Sequence, residues 1–178
     1  MKITTKILSL LLVLLTTALL GCGGSQQSAE KKAEKPFRIV TSFYPMYLAT
    51  INITDGVDGV EVTNMTKPQT GCLHDYQLMT EDMKTLEHAD AFVINGAGME
   101  DFMDKVTGAQ KEMKIIDASR GIELIHDDEG DNPHVWLSVT DAITQVRNIA
   151  DQLKEADPAH ADAYEKNAAA YIEKLTAL

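Results

Sequence analysis

The chain has 178 residues, with 16 basic and 27 acidic side chains and a formal net charge of −11. A surface this acidic repels nucleic acid and anionic lipid and tolerates cations, which excludes a nucleic-acid-binding role. Its two cysteines, Cys22 and Cys72, give no disulfide framework, so the fold must stand on its apolar core.

In chain order, the sequence opens on a processing signal. Lys2 and Lys6 precede the apolar stretch ILSLLLVLLTTALL at 7–20, which stops at Gly21-Cys22. A membrane anchor needs about 20 apolar residues and different flanks, so 1–21 is expected to be a cleaved secretory signal peptide. The tetrapeptide LLGC at 19–22 resembles the bacterial lipobox, in which cleavage precedes the cysteine, and this implies that Cys22 carries lipid. Residues 22–36 are small, polar and charged without apolar periodicity, as expected of a flexible tether. Loss of 1–21 leaves 14 basic against 27 acidic residues, a net charge of −13, with Cys72 as the one free thiol.

From Phe37 the pattern alternates between strand and helix. FRIVTS (37–42), VEVTNM (60–65), AFVIN (91–95) and KIIDAS (114–119) predict strands. YPMYLATINIT (44–54) predicts a helix with Pro45 in its first turn. QLMTEDMKTLEHA (77–89) predicts a second helix, and MEDFMDKVTG (99–108) a third, ended by Gly108. Four strands alternating with helices predict an α/β fold with a four-stranded parallel sheet flanked by helices. A loop is expected at 120–137. SVTDAITQVRNIADQLKEA (138–156) is strongly amphipathic, and Ser138 with Asp141 suits a capping box. Asp157-Pro158 suggests a fresh N-cap and first-turn proline for a last helix, with Tyr164, Ala168, Tyr171 and Leu175 on one side. The chain stops at Leu178 inside that helix.

Of the five histidines, His88 and His160 lie near expected helix ends among acidic and small residues, as solvated histidines do. His74, in GCLHDYQ (71–77), and His134, in DNPHVWLS (131–138), sit in loops with turn residues and aromatics nearby. Pro133 fixes the backbone before His134, and Trp136 offers it an apolar wall. His74 follows the second expected strand, and parallel sheets bind ligands outside the carboxyl ends of their strands. Two neutral imidazoles would supply half of a four-coordinate zinc shell. By spacing alone, two loop histidines more often hold no metal.

The segments TGCLHDYQLMTEDMKTLEHADAFVINGAGMEDFMDKV (70–106) and NPHVWLSVTDA (132–142) closely resemble the zinc and manganese solute-binding lipoproteins of bacterial ABC importers. The likeness runs from about Phe37 to Leu178. It implies two α/β lobes joined by a long helix, with a metal ion in the cleft between them. It also implies that His74 and His134 are metal ligands within an N-terminal lobe at 37–156. Residues 157–178 would then begin the interlobe helix, and the remaining ligands, a His or Glu and an Asp or Glu, would come from a second lobe absent from this chain. The implied cargo is Zn2+, alternatively Mn2+, captured outside the cytoplasm by a lipid-anchored protein that is not an enzyme. The implied partners are an ABC importer permease and, through the lipid anchor, the membrane. A half-length chain is further expected to expose the apolar face of its last helix and its cleft side, and so to self-associate.

The loop at 71–77 departs from the family's PHxYxP-like pattern by placing Cys72 beside His74. A thiolate is a competent zinc ligand, although a small half-buried thiol is the commoner outcome, so Cys72 is an auxiliary candidate. His126 is another, in the acidic stretch HDDEGD (126–131), which is otherwise a solvated loop. NGAGME (95–100) lacks the third glycine of a dinucleotide loop, since Asp101 stands there. No H-E-x-x-H or G-x-S-x-G is present. The alternatives are a surface or adhesive lipoprotein with a decayed metal site and a zinc-dependent hydrolase. Imidazole ligates only when neutral, so metal binding should weaken below about pH 6.

Overall fold

The computed structural model describes residues 35–68, 71–127 and 130–178. The expected signal peptide, Cys22 and nearly all of the expected tether lie outside the described residues.

Four strands form the parallel sheet expected from the sequence: β1 (Phe37–Thr41), β2 (Val60–Asn64), β3 (Ala91–Ile94) and β4 (Lys114–Asp117), in the order β2-β1-β3-β4. Phe37 to Thr41 run beside Val60 to Asn64, and Val40 beside Phe92, which itself lies beside Ile115. All four residues of the short apolar β3 are buried, as a central parallel strand covered on both faces requires. The core gathers Ile39, Val40, Phe92, Val93 and Ile116 from the strands.

Helix α1 (Tyr44–Ile53) has Pro45 in its first turn, as expected. Helices α2 (Thr80–Leu86) and α3 (Met103–Ala109) each start later than their apolar spacing predicts. At α2 the Asp82 carboxylate accepts the Met79 N–H at 2.7 Å while Met79 stays extended, so the helix begins only at Thr80. At α3 the Glu100 side chain folds back onto Asn95 and Gly96, which holds 99–102 in turns. Gly108 does not end α3; it lies inside the helix, which runs to Ala109. Travel across the sheet reverses after β2, so right-handed crossovers put α1 on one face and α2 and α3 on the other.

The expected loop at 120–137 contains a small antiparallel hairpin, β5 (Ile125–Asp127) with β6 (Gly130–Asn132), and a 3-10 turn at Val135–Leu137. Three-residue strands are too short to show alternation, so their sequence gives no warning of them. Helix α4 (Val139–Ala156) buries Val146, Ile149, Ala150 and Leu153, and the Ser138 hydroxyl caps the Asp141 N–H at 3.3 Å. The return half of the capping box is absent, because the Ser138 N–H donates to the Val135 carbonyl.

A 3-10 turn at Pro158–His160 leads into α5 (Ala161–Thr176). Asp157 does not cap this helix with its side chain; the carboxylate instead accepts the Tyr164 hydroxyl at 2.6 Å and meets His160 Nδ1 at 2.7 Å. Helix α5 packs on α4 and α1, with Tyr164 and Ala168 buried and Tyr171, Ile172 and Leu175 against the core. The expectation of an exposed apolar face on the last helix therefore fails, because this lobe supplies the surface that covers it.

Candidate metal site

The loops that carry His74 and His134 both leave the carboxyl end of the sheet. A buried Glu100 organises that end. Its carboxylate accepts the Ser42 hydroxyl (2.7 Å) after β1 and the Asn95 (2.8 Å) and Gly96 (3.0 Å) N–H groups after β3. Strands β1 and β3 are where the strand order switches direction, the usual place for a ligand crevice. Burial raises the Glu100 carboxyl above its ordinary range; its three hydrogen bonds oppose that shift, and Asp117 adds to it.

Beyond β2, Leu73 is fully buried while its neighbours Cys72 and His74 are exposed. The Leu73 N–H donates to the sulfur of the buried Met99 at 3.4 Å, and the Leu73 carbonyl accepts the Tyr76 N–H at 3.0 Å. Tyr76 packs on Phe102 and donates its hydroxyl to Asp82 at 3.0 Å. Burial first, then the Asp82 carboxylate, pushes the Tyr76 phenol up to about 12. The loop is thus pinned on either side of His74, which leaves the imidazole free to face outward.

His134 is held more tightly. The Asn132 side-chain oxygen accepts its backbone N–H at 3.0 Å and meets its Nδ1 at 2.8 Å. Trp136 lies beside the ring at 5.1 Å between centroids and packs edge-on against Phe43 at 4.9 Å. Behind the loop, Asn95 donates to the Pro133 carbonyl at 2.9 Å and accepts from Gln145 of α4 at 2.9 Å. Asn148 and Gln152, further along the same helix, hold the turn after β4.

These supports bring the two expected ligands together. The rings of His74 and His134 lie 5.7 Å apart between centroids. Their ligand nitrogens and the Cys72 sulfur all fall within 4.8 Å of one another. Among the described residues, that is the group placed to share an ion, and His126 is outside it. His126 is exposed on the hairpin and bonds Asp131 at 2.9 Å. His88 is exposed, as expected, whereas His160 is half-buried against Asp157. Sequence reasoning missed Glu100, Asn95, Asn132 and Gln145, which build the site without touching its centre. The one available signal was the polar stripe Gln145, Asn148, Gln152 at helical spacing beside the apolar face of α4.

Residues 39–178 match the family model described as ZnuA, zinc-uptake complex component A, periplasmic. The chain is 34% identical over 170 residues to the iron-binding protein YfeA of Yersinia pestis, covering 93% of this chain and 52% of that protein. It is 34% identical over 176 residues to the high-affinity zinc uptake system protein ZnuA of Bacillus subtilis, covering 86% of this chain and 53% of that protein. Among solved structures, zinc-bound AdcA of Streptococcus pneumoniae superposes with a TM-score of 0.71 at 34% identity, covering 80% of this chain and 31% of AdcA. The FpvC binding protein of Pseudomonas aeruginosa, solved with Mn2+, gives 0.71 at 34% identity, covering 80% of this chain and 53% of FpvC. The chain spans about half the length of ZnuA and YfeA. It belongs to the ZnuA family of metal-binding solute-binding proteins, which are uptake components rather than enzymes.

Proposed function

We propose that this chain is the histidine-bearing lobe of a protein that captures zinc outside the cytoplasm for an ABC importer. The meeting of His74 and His134 at the carboxyl end of the sheet supports this most directly. Both neutral imidazoles bind the ion, and carboxylate and imidazole groups from a second lobe complete the shell. The loaded protein then delivers its cargo to a permease. Residues 157–178 start the connection between the lobes, and lipid on Cys22 anchors the protein to the cell membrane. Zinc uptake by ZnuA of Bacillus subtilis and the zinc bound to AdcA of Streptococcus pneumoniae support zinc as the cargo. Manganese is the alternative, since FpvC was solved with it. Ile125 and Leu137, three-quarters exposed in the region of His134, support self-association of this chain when nothing else covers them.

The deciding experiment is zinc affinity by chelator competition, with His74→Ala and His134→Ala alongside. Binding at micromolar strength or better that is lost in both variants supports the assignment. Affinity indifferent to both substitutions would remove the two histidines from the site.

A further inference from the structure

We propose that Cys72 is a third metal ligand, so that this lobe presents one thiolate and two imidazoles and prefers zinc to manganese. The proposal rests on the assignment of His74 and His134 as ligands. It extends that assignment to a position where the loop departs from the family pattern.

The geometry carries it. A tetrahedral shell with Zn–S of about 2.3 Å and Zn–N of about 2.05 Å separates sulfur from nitrogen by about 3.5 Å and the nitrogens by about 3.3 Å. The three ligand atoms already lie within 4.8 Å of one another. Closing a gap of little more than about 1 Å takes side-chain rotation, and Cys72 and His74 are exposed enough to rotate.

Leu73 explains why the two point the same way. Its side chain is buried, so the residues on either side of it turn outward together, as alternate residues of an extended segment do. Met99 fixes that arrangement by accepting the Leu73 N–H at 3.4 Å. The Cys72 sulfur lies 3.7 Å from the same thioether, a weak contact with a neutral atom, and no ion pair among the described residues competes for it. On metal binding the S–H bond breaks, its proton passes to solvent, and the sulfur lone pair forms the bond to the ion. A thiolate suits zinc far better than manganese, which favours oxygen ligands.

The test uses the full chain in anaerobic buffer with a non-thiol reductant, and Co2+ as a spectroscopic probe for zinc. The wild type should show a near-ultraviolet thiolate-to-cobalt charge-transfer band. Cys72→Ser should lose that band yet keep histidine-dependent ligand-field bands in the visible. Loss of an outer-shell partner costs about 10–100-fold in metal affinity, so Cys72→Ser should weaken zinc binding on the order of tenfold or more. Manganese affinity should move by less than about twofold. Cobalt bound through the histidines without a charge-transfer band would overturn the proposal and leave the histidine pair standing. So would unchanged zinc affinity in Cys72→Ser. Cobalt binding indifferent to His74→Ala and His134→Ala would overturn the histidine assignment and this proposal with it.

Discussion

At the scale of single residues, Asn132 decides which nitrogen of His134 faces the site. A backbone N–H can only donate, so the atom that receives the His134 N–H must be the amide oxygen. That same oxygen meets Nδ1, which therefore carries the proton, and Nε2 is left with its lone pair outward. Asn132→Ala removes this orientation while sparing the core. It should lower zinc affinity on the order of 10–100-fold with a near-native melting temperature, as chelator competition and calorimetry would show. The motif NPHVW displays its histidine openly, but the role of its asparagine depends on a turn that spacing does not encode. Gly96 and Gly98 form a similar contrast. Both adopt left-handed backbone, at φ of 79° each, with Ala97 at 53° between them. A Cβ on Gly96 would collide with the Asp117 carboxylate, whereas one on Gly98 meets nothing within 4 Å. Gly98→Ala should cost about 1 kcal/mol of denaturant stability and Gly96→Ala about 3 kcal/mol or more. The glycine pair thus answers a turn and a close approach, which is why it mimics a phosphate loop without being one.

At the scale of elements, the four strands were legible as short segments rich in apolar and β-branched residues, with β2 alternating apolar and polar positions. The helix starts were less so. Asp82 and Glu100 each reach back to a backbone N–H, and such return bonds leave no trace in hydrophobic periodicity. Glu100 matters most, since it joins the turns after β1 and β3. Glu100→Ala would leave two buried N–H groups and the Ser42 hydroxyl without their acceptor, and should cost about 3 kcal/mol or more by urea unfolding. Its titration has a definite sign. The carboxyl titrates higher in the folded chain than in the unfolded one, so the folded chain holds that proton more tightly. Stability from this group therefore falls as pH rises from the unfolded carboxylate range through the folded one, and the penalty is complete above it. Glu100→Gln should flatten that part of a urea-midpoint profile measured across the acidic range. Asn95 ties the same region to His134 through the Pro133 carbonyl. Removing it leaves that carbonyl unpaired, so Asn95→Ala should lose about 2 kcal/mol of stability and weaken zinc binding together.

At the scale of the whole molecule, the described chain is an α/β unit whose last helix is already covered, with the candidate metal group open at one end of its sheet. On the proposed function, folding and metal capture are separable: the core stands on buried apolar side chains, and a bound ion would add to it by linkage. The family resemblance made the two histidines legible, but not the absence of a bare face on α5, because periodicity locates an apolar stripe and not its cover. Helices α4 and α1 supply that cover, and beneath them Tyr164 of α5 is fully buried and bonded to Asp157. Zinc binding only the folded state should stabilise it by about 2.7 kcal/mol at a free concentration one hundred times the Kd. For a folded unit of about 150 residues, that corresponds to a rise of roughly 5–10 °C in melting temperature. The single tryptophan, Trp136, lies 5.1 Å from the His134 ring and so reports the same event optically. The fluorescence titration and the thermal shift should give one common midpoint in the wild type, and both responses should vanish in His134→Ala. A thermal shift that survives this substitution without any fluorescence change would place the stabilising ion elsewhere on the acidic surface, away from the sheet's carboxyl end.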